Sequence, residues 1–250
     1  MQTPSRTRLR RKIEKLNRQL LTVGGLVEKN LHLAIRALEQ RDPDVVTQVL
    51  QADRDIDRKE VELEEQCLEV LALHQPVAID LRHIVAVLKI NKDLERAGDL
   101  AVNIARIAFD LSTEPRIRIS RDYLLMASKT QDMLRKSLDA FVNLSVEIAR
   151  HVLAEDDEVD LMKHALHADF LERLAQGVDP LEPLVELFLV SRHLERIGDL
   201  ATNVAEEVIY LVTGEIVRHG LKEPEERSAA KKARRMTLRE RCRKLNRPIQ

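Results

Sequence analysis

Aromatic side chains are scarce: they make up 2% of the 250 residues, with four phenylalanines, two tyrosines and no tryptophan. A core built from this chain is therefore aliphatic, assembled from leucine, valine, isoleucine and alanine. No Asn-Gly or Asp-Gly turn separates alternating apolar runs, so hairpin signals are missing. No apolar stretch approaches the roughly 20 residues that span a bilayer. The basic N-terminus is followed by amphipathic Ile13-Glu14-Lys15-Leu16-Asn17-Arg18 rather than an apolar run, so a secretory leader is not expected. Cys67 and Cys242 are single and far apart, which gives no metal-ligand spacing and points to reduced thiols in a cytoplasm. Phosphate-cradling glycine loops, nucleophile elbows, His-Glu-x-x-His and the di-iron signature Glu-x-x-His are all absent, so no catalytic constellation is visible.

What is present is rich in Leu, Ala, Glu, Arg and Val, the composition of long helices packed through aliphatic side chains. The net charge is only −1, yet it is unevenly spread. Residues 1–18 hold seven Lys/Arg against one acid and residues 231–250 hold nine against one, leaving 25 basic and 40 acidic residues between them. An acidic body suits cations and basic ends suit anionic partners. No sequence feature points to specific nucleic-acid binding.

Apolar spacings of three and four run through Leu16, Leu20, Val23, Val27, Leu31, Ala34 and Leu38, and stop at Asp42-Pro43. A second helix continues to Leu71 and breaks at His74-Gln75-Pro76, and a third runs from about Ala78 through Ile104. Beyond Glu114-Pro115 the plan repeats, with helices expected at Tyr123 to about Val152, Asp156 to about Ala175 and Leu184 to about Val217. Short proline-containing connections make neighbours antiparallel. The expected fold is all-α: two tandem, sequence-related three-helix bundles over 1–114 and 118–220, then a basic tail or exposed helix over 221–250.

One motif is written twice. Leu94-Glu95-Arg96-Ala97-Gly98-Asp99-Leu100-Ala101-Val102-Asn103-Ile104-Ala105 returns as Leu194-Glu195-Arg196-Ile197-Gly198-Asp199-Leu200-Ala201-Thr202-Asn203-Val204-Ala205, identical at nine of twelve positions. A scaffold needs only its apolar stripe repeated, so the repeated polar residues point to a site. Glu95, Asp99 and Asn103 share one helix face, as do Glu195, Asp199 and Asn203. Like charges four apart cost roughly 0.2–0.5 kcal/mol, and a mid-helix glycine costs roughly 1 kcal/mol against alanine. A cation offsets the first cost, and the glycine admits a close neighbour. An acidic pair also repeats in the middle helices, Asp53/Asp57 against Asp156/Asp160. Convergent carboxylates suit Mg²⁺, Mn²⁺, Ca²⁺ or iron, with the asparagines as ligands or as supports. Glu95, Asp99, Glu195 and Asp199 lead this set, and Asp53, Asp57, Asp156, Asp160, Asn103 and Asn203 complete it. A solitary Glu-x-x-x-Asp is more often a solvated face, and Arg96 and Arg196 read most simply as partners for acids on adjacent helices.

The doubled motif resembles the PhoU family of accessory regulators of phosphate-specific transport. So does His74-Gln75-Pro76-Val77-Ala78-Ile79-Asp80-Leu81-Arg82, which is similar to that family's Gln-Pro-x-x-x-Asp-Leu-Arg element. The resemblance covers roughly residues 10–218. It implies a duplicated three-helix bundle and multinuclear iron or zinc clusters held by Glu95/Asp99 and Glu195/Asp199. It also implies a cytoplasmic, homodimeric negative regulator that contacts the phosphate ABC transporter's ATPase and a sensor histidine kinase, and meets the membrane only through them. Asp80 and Arg82 become candidate partner-binding residues, present in the first half only, where the second has Leu181-Glu182-Pro183. The alternatives are a carboxylate-bridged metalloenzyme and a metal-free helical interaction module.

Overall fold

In the computed structural model, which describes residues 4–112, 117–177 and 179–217, the chain forms six helices: α1 (Pro4–Gln40), α2 (Pro43–His74), α3 (Ala78–Ser112), α4 (Arg121–Asn143), α5 (Val146–Gln176) and α6 (Leu181–Thr213). Among the described residues there is no strand. The segment 221–250 and Cys242 lie outside them. Cys67 is a free, buried thiol on α2.

The connections follow local chemistry. Asp42 accepts a hydrogen bond from the Asp44 amide at 2.9 Å while Pro43, which has no amide to leave unsatisfied, opens α2. Gly177 and Gly214 close α5 and α6 in the left-handed conformation, at φ of 63° and 80°. The α4–α5 boundary differs from the sequence expectation. It falls at Leu144-Ser145, not between Val152 and Asp156. Ser145 accepts from the Ile148 amide at 3.3 Å, and Leu144 makes the turn at φ 47°. The buried series Ala149, Val152, Glu155, Val159 then passes through the expected break without interruption. Asp156 and Asp157 imitate a helix start there while standing mid-helix.

Within each half the three helices pack on one another: α1 on α2 and α3, α2 on α3; α4 on α5 and α6, α5 on α6. Two further contacts join the halves, α3 against α6 and α1 against α4, and the chain up to Glu215 forms one compact unit. That is why α3 and α6 are apolar on more than one face. Ile84, Val87, Ile90, Leu94, Ala97 and Ala101 on α3 are all essentially solvent-free, as are Leu187, Val190, Leu194, Ile197 and Ala201 on α6.

Helices α3 and α6 run antiparallel. Near the start of α3, Arg82 donates to the Tyr210 carbonyl at 3.4 Å and lies 5.5 Å from the Tyr210 ring centroid, near the end of α6. About two turns on, Lys89 meets both carboxylate oxygens of buried Glu207 at 3.2 Å. The register then brings the two Gly-Asp motifs opposite one another.

Adjacent glycines on α1 report the α1–α4 packing. A β-carbon at Gly24 would sit 2.7 Å from Leu138 Cδ1, whereas one at Gly25 meets nothing within 4 Å. Gly25→Ala should therefore stabilise the fold by about 1 kcal/mol through helix propensity alone. Gly24→Val, which must displace Leu138, should destabilise it by about 1–3 kcal/mol. Denaturant unfolding of the two variants checks this, and the same sign for both would contradict the packing.

Candidate functional site

Each half carries one group of carboxylates along the seam between its second and third helices. In the first half, Asp53 and Asp57 come from α2 and Glu95 and Asp99 from α3. Asp53 lies over Gly98: a methyl built on the glycine would be 3.6 Å from Asp53 Oδ1 and 3.4 Å from Ile56 Cδ1. In the second half the same methyl at Gly198 would be 3.7 Å from Asp156 Oδ1 and 3.6 Å from Val159 Cγ1. Each glycine thus bares a strip of backbone beside the acid of the neighbouring helix.

The carboxylates feel one another. Asp53 is pushed up to about 6 by burial first, then by the charges of Asp57, Asp99 and Glu95, against the pull of Arg106. Asp156 is likewise pushed up to about 6, by burial and then by Asp160, Asp199, Asp157 and Glu195. Burial also raises Asp99, helped by Glu95 and Asp57, and raises Asp199, helped by Glu195 and Asp160. The eight acids singled out in the sequence are therefore gathered into two groups of four.

The two groups are not identical. Buried Glu60 joins the first, its carboxyl raised by burial and, against Lys92, by Glu64, Glu95 and Asp57. The matching residue of the second half is Lys163, which is paired with Glu195. Arg106, which faces the first group, corresponds to Glu206. One extra acid and one extra cation thus exchange places between the halves. Glu95 takes its ammonium from Lys92, 3.1 Å away on its own helix, and Glu195 takes its from α5. Sequence reasoning missed Glu60 and Lys163, although both follow their acidic pair by three residues, where a helix brings side chains to one face.

The donor set is carboxylate oxygen with nearby amides, hard ligands for divalent cations. Among the described residues no three His, Cys, Asp or Glu side chains converge as a cation cage, so holding an ion requires these carboxylates to turn about their own torsions. Their chemistry fits a cation, since two aspartates driven up to about 6 by burial and neighbouring acids are relieved by positive charge.

Other sequence candidates fall elsewhere. Asn103 lines a cleft adjoining the acids, while Asn203 is exposed. Arg96 pairs with Asp93, 3.6 Å away on its own helix, rather than with an acid of an adjacent helix. Arg82 is committed to the end of α6, where a β-carbon on Gly214 would lie 2.5 Å from its Nη1. Asp80 is half-buried and faces His83, which burial holds below the ordinary imidazole value and which shares a 2.7 Å hydrogen bond with Asn17.

Two in-register bundles, joined motif to motif and each with a carboxylate group, define a tandem-repeat all-α protein. Residues 20–108 and 123–208 each match the family model of the PhoU domain. The chain is 35% identical to the phosphate-specific transport system accessory protein PhoU homolog of Clostridium acetobutylicum, over 82% of this chain and 94% of that one. It is 30% identical to the PhoU accessory protein of Escherichia coli, over 83% and 86% of the two chains. The crystal structure of PhoU from Pseudomonas aeruginosa superposes with a TM-score of 0.80 at 35% identity, covering 82% of this chain and 99% of that one. That from Streptococcus pneumoniae gives 0.79 at 25% identity, covering 84% and 99%. The chain belongs to the PhoU family.

The raised aspartates set a sign for pH dependence. Their ordinary value is 3.8 and their folded value about 6, so between these the folded state binds more protons and stability falls as pH rises through that window. In chelated protein, Asp53→Asn/Asp156→Asn should raise Tm relative to wild type clearly at about pH 7.5, by less at about pH 4.5, and hardly at all below the ordinary aspartate value of 3.8. An equal shift throughout would contradict the clustering.

Proposed function

We propose that the chain is a non-enzymatic, cation-binding regulator of phosphate uptake and phosphate-starvation signalling. In this reading it acts in the cytoplasm as a homodimeric adaptor between the phosphate ABC transporter's ATPase and a sensor histidine kinase, and restrains the starvation response. Membership of a family whose relatives are named accessory proteins of phosphate-specific transport supports the phosphate role. The observation that carries cation binding is the duplicated carboxylate group, with its two aspartates driven upward in the same way in both halves. Among the described residues no helix is long and apolar enough to cross a membrane, which agrees with reaching the membrane through partners.

Iron or zinc, with Mg²⁺, Mn²⁺ and Ca²⁺ as alternatives, would be held by Glu95, Asp99, Asp53 and Asp57 in one half and by Glu195, Asp199, Asp156 and Asp160 in the other. A bound cation would supply fixed positive charge on an otherwise acidic face. The protein side of the work falls to the helices. Gly98 and Gly198 leave the helix backbone bare beside Asp53 and Asp156, and Lys92 and Lys163 hold the outer glutamates until an ion displaces them. Neutralising either face changes the charge shown to a partner, which is how occupancy can govern affinity.

A second reading has an observation of its own. The Lys92–Glu95 and Lys163–Glu195 pairs are what a metal-free interaction module needs to keep its acids. The metalloenzyme reading gains nothing comparable, since His83 is spent on Asn17 and the His193 imidazole, lowered by burial, lies beside Arg196 and Arg192. Elemental analysis of purified wild type beside Glu95→Ala/Asp99→Ala/Glu195→Ala/Asp199→Ala decides between the first two. Wild type should retain stoichiometric metal and the variant should lose it; equal content in both removes the cation reading.

A further inference from the structure

The two arginines of the doubled motif make no hydrogen bond to the carboxylate groups, although the charge of Arg196 acts on Asp199, and they repeat as faithfully as the acids. Arg96 and Arg196 line one cleft of ≈590 Å³ where α3 crosses α6, together with Asp99 and Asn103 from one helix and Asp199 from the other. Leu100 and Leu200 are its apolar lining. Because the helices are antiparallel and the motif is the same on both, the cleft has approximate two-fold symmetry. It presents one guanidinium from each repeat.

Those guanidinium groups are available. The Arg96 side chain is 60% exposed and its ion pair to Asp93 is a loose 3.6 Å. Arg196 makes no hydrogen bond or ion pair among the described residues, and its charge is felt by Asp199 and His193. A solvated cation on a helix face need not stay arginine. Elsewhere on these same helices Arg106 corresponds to Glu206, and Lys89 to Leu189. Two cations turned to a common cleft repel each other unless something negative stands by them; Asp99 and Asp199 supply it while they are ionised, and an anion takes over that part once cations neutralise them. Arginine rather than lysine offers a planar fork of N–H donors that grips two oxygens at once.

We propose that this cleft is an oxyanion site, with Arg96 and Arg196 gripping opposite edges of one tetrahedral anion of the orthophosphate type. A tetrahedron has two opposite edges related by a two-fold axis, which matches two forks brought together by an antiparallel repeat; a carboxylate has only one edge to give. Asp99 and Asp199 also line the cleft, and unneutralised they repel an anion. The site therefore rests on the reading of the carboxylate groups as cation sites: cations at the two groups neutralise these aspartates. The cleft is much larger than one phosphate, so ions and water fit beside it. The seam between the repeats, not either repeat alone, is then the place where phosphate is bound.

The test is equilibrium dialysis of radiolabelled inorganic phosphate against the full chain, chelated or loaded with Mn²⁺, with bound manganese measured on the same samples. Sulfate and glycerol 3-phosphate serve as competitors. Phosphate should be retained by the manganese-loaded protein and not by the chelated one. Glycerol 3-phosphate, with one oxygen blocked, should compete poorly. Arg96→Gln and Arg196→Gln should each weaken retention at least tenfold, and the double variant should abolish it, with manganese content and Tm unchanged. Arg96→Lys/Arg196→Lys, which keeps charge and loses the forks, should bind less tightly than wild type. Manganese bound without phosphate, or phosphate retained equally by the double glutamine variant, overturns the oxyanion site alone. No manganese and no phosphate overturns it together with the cation reading beneath it. Preference for the phosphomonoester makes a phosphorylated partner the ligand and overturns free orthophosphate.

Discussion

The structure depends on α3 lying antiparallel against α6. Each of these helices is the innermost of its own bundle, and each has a second apolar face that only the other repeat covers. The packing constrains everything around it. Once Leu94 and Leu194 are buried with Ala97, Ile197, Ala101 and Ala201, the intervening polar residues have only the seam and the flanking grooves in which to emerge. Glu95 and Glu195 leave toward α2 and α5, Arg96 and Arg196 line the cleft shared with the opposite repeat, and Asp99 and Asp199 border both. A single twelve-residue segment thus serves two directions at once, because a helix turns its side chains through a full circle in under four residues.

Duplication supplied the two-fold arrangement, and divergence then broke it in particular places. The groups keep Asp53/Asp156, Asp57/Asp160, Glu95/Glu195 and Asp99/Asp199, while Glu60 and Arg106 give way to Lys163 and Glu206. Exchanging an acid and a cation leaves the local charge sum unaltered and moves the positive end from one side of the group to the other. The clasp across the seam is also one-sided. Arg82 and Lys89 reach from the first repeat to Tyr210 and Glu207 of the second, where the matching residues Glu182 and Leu189 offer no such cations.

Much of this is legible in the sequence, for reasons that can be named. The three- and four-residue spacing of Leu16 to Leu38, and the identity of the two motifs at nine of twelve positions, announce an all-α duplicated chain without reference to any partner. The carboxylate groups follow from spacing on single helices plus a shift that aligns the middle helices. The rest is not local. Leu144 adopts a left-handed turn with no glycine to mark it, and Ser145 looks like any serine until its hydroxyl is seen to cap α5. Arg82 looks like a free element of a surface motif because its partner is 128 residues away. Arg96 and Arg196 look like ordinary surface cations until the antiparallel register puts them on one cleft. A sequence states which face of a helix is apolar, but not which helix will cover it.

The clasp formed by Arg82 on the closing turn of α6 also concerns the making of the molecule. A growing chain releases its N-terminal repeat first, so α3 leaves the ribosome with one apolar flank finished and the other bare. The residues that cover it, and the Gly214 turn that receives Arg82, are among the last of the described chain to be synthesised. The first repeat therefore waits, half-dressed, while residues 113–213 are made, and it reaches its mature surroundings only when α6 arrives.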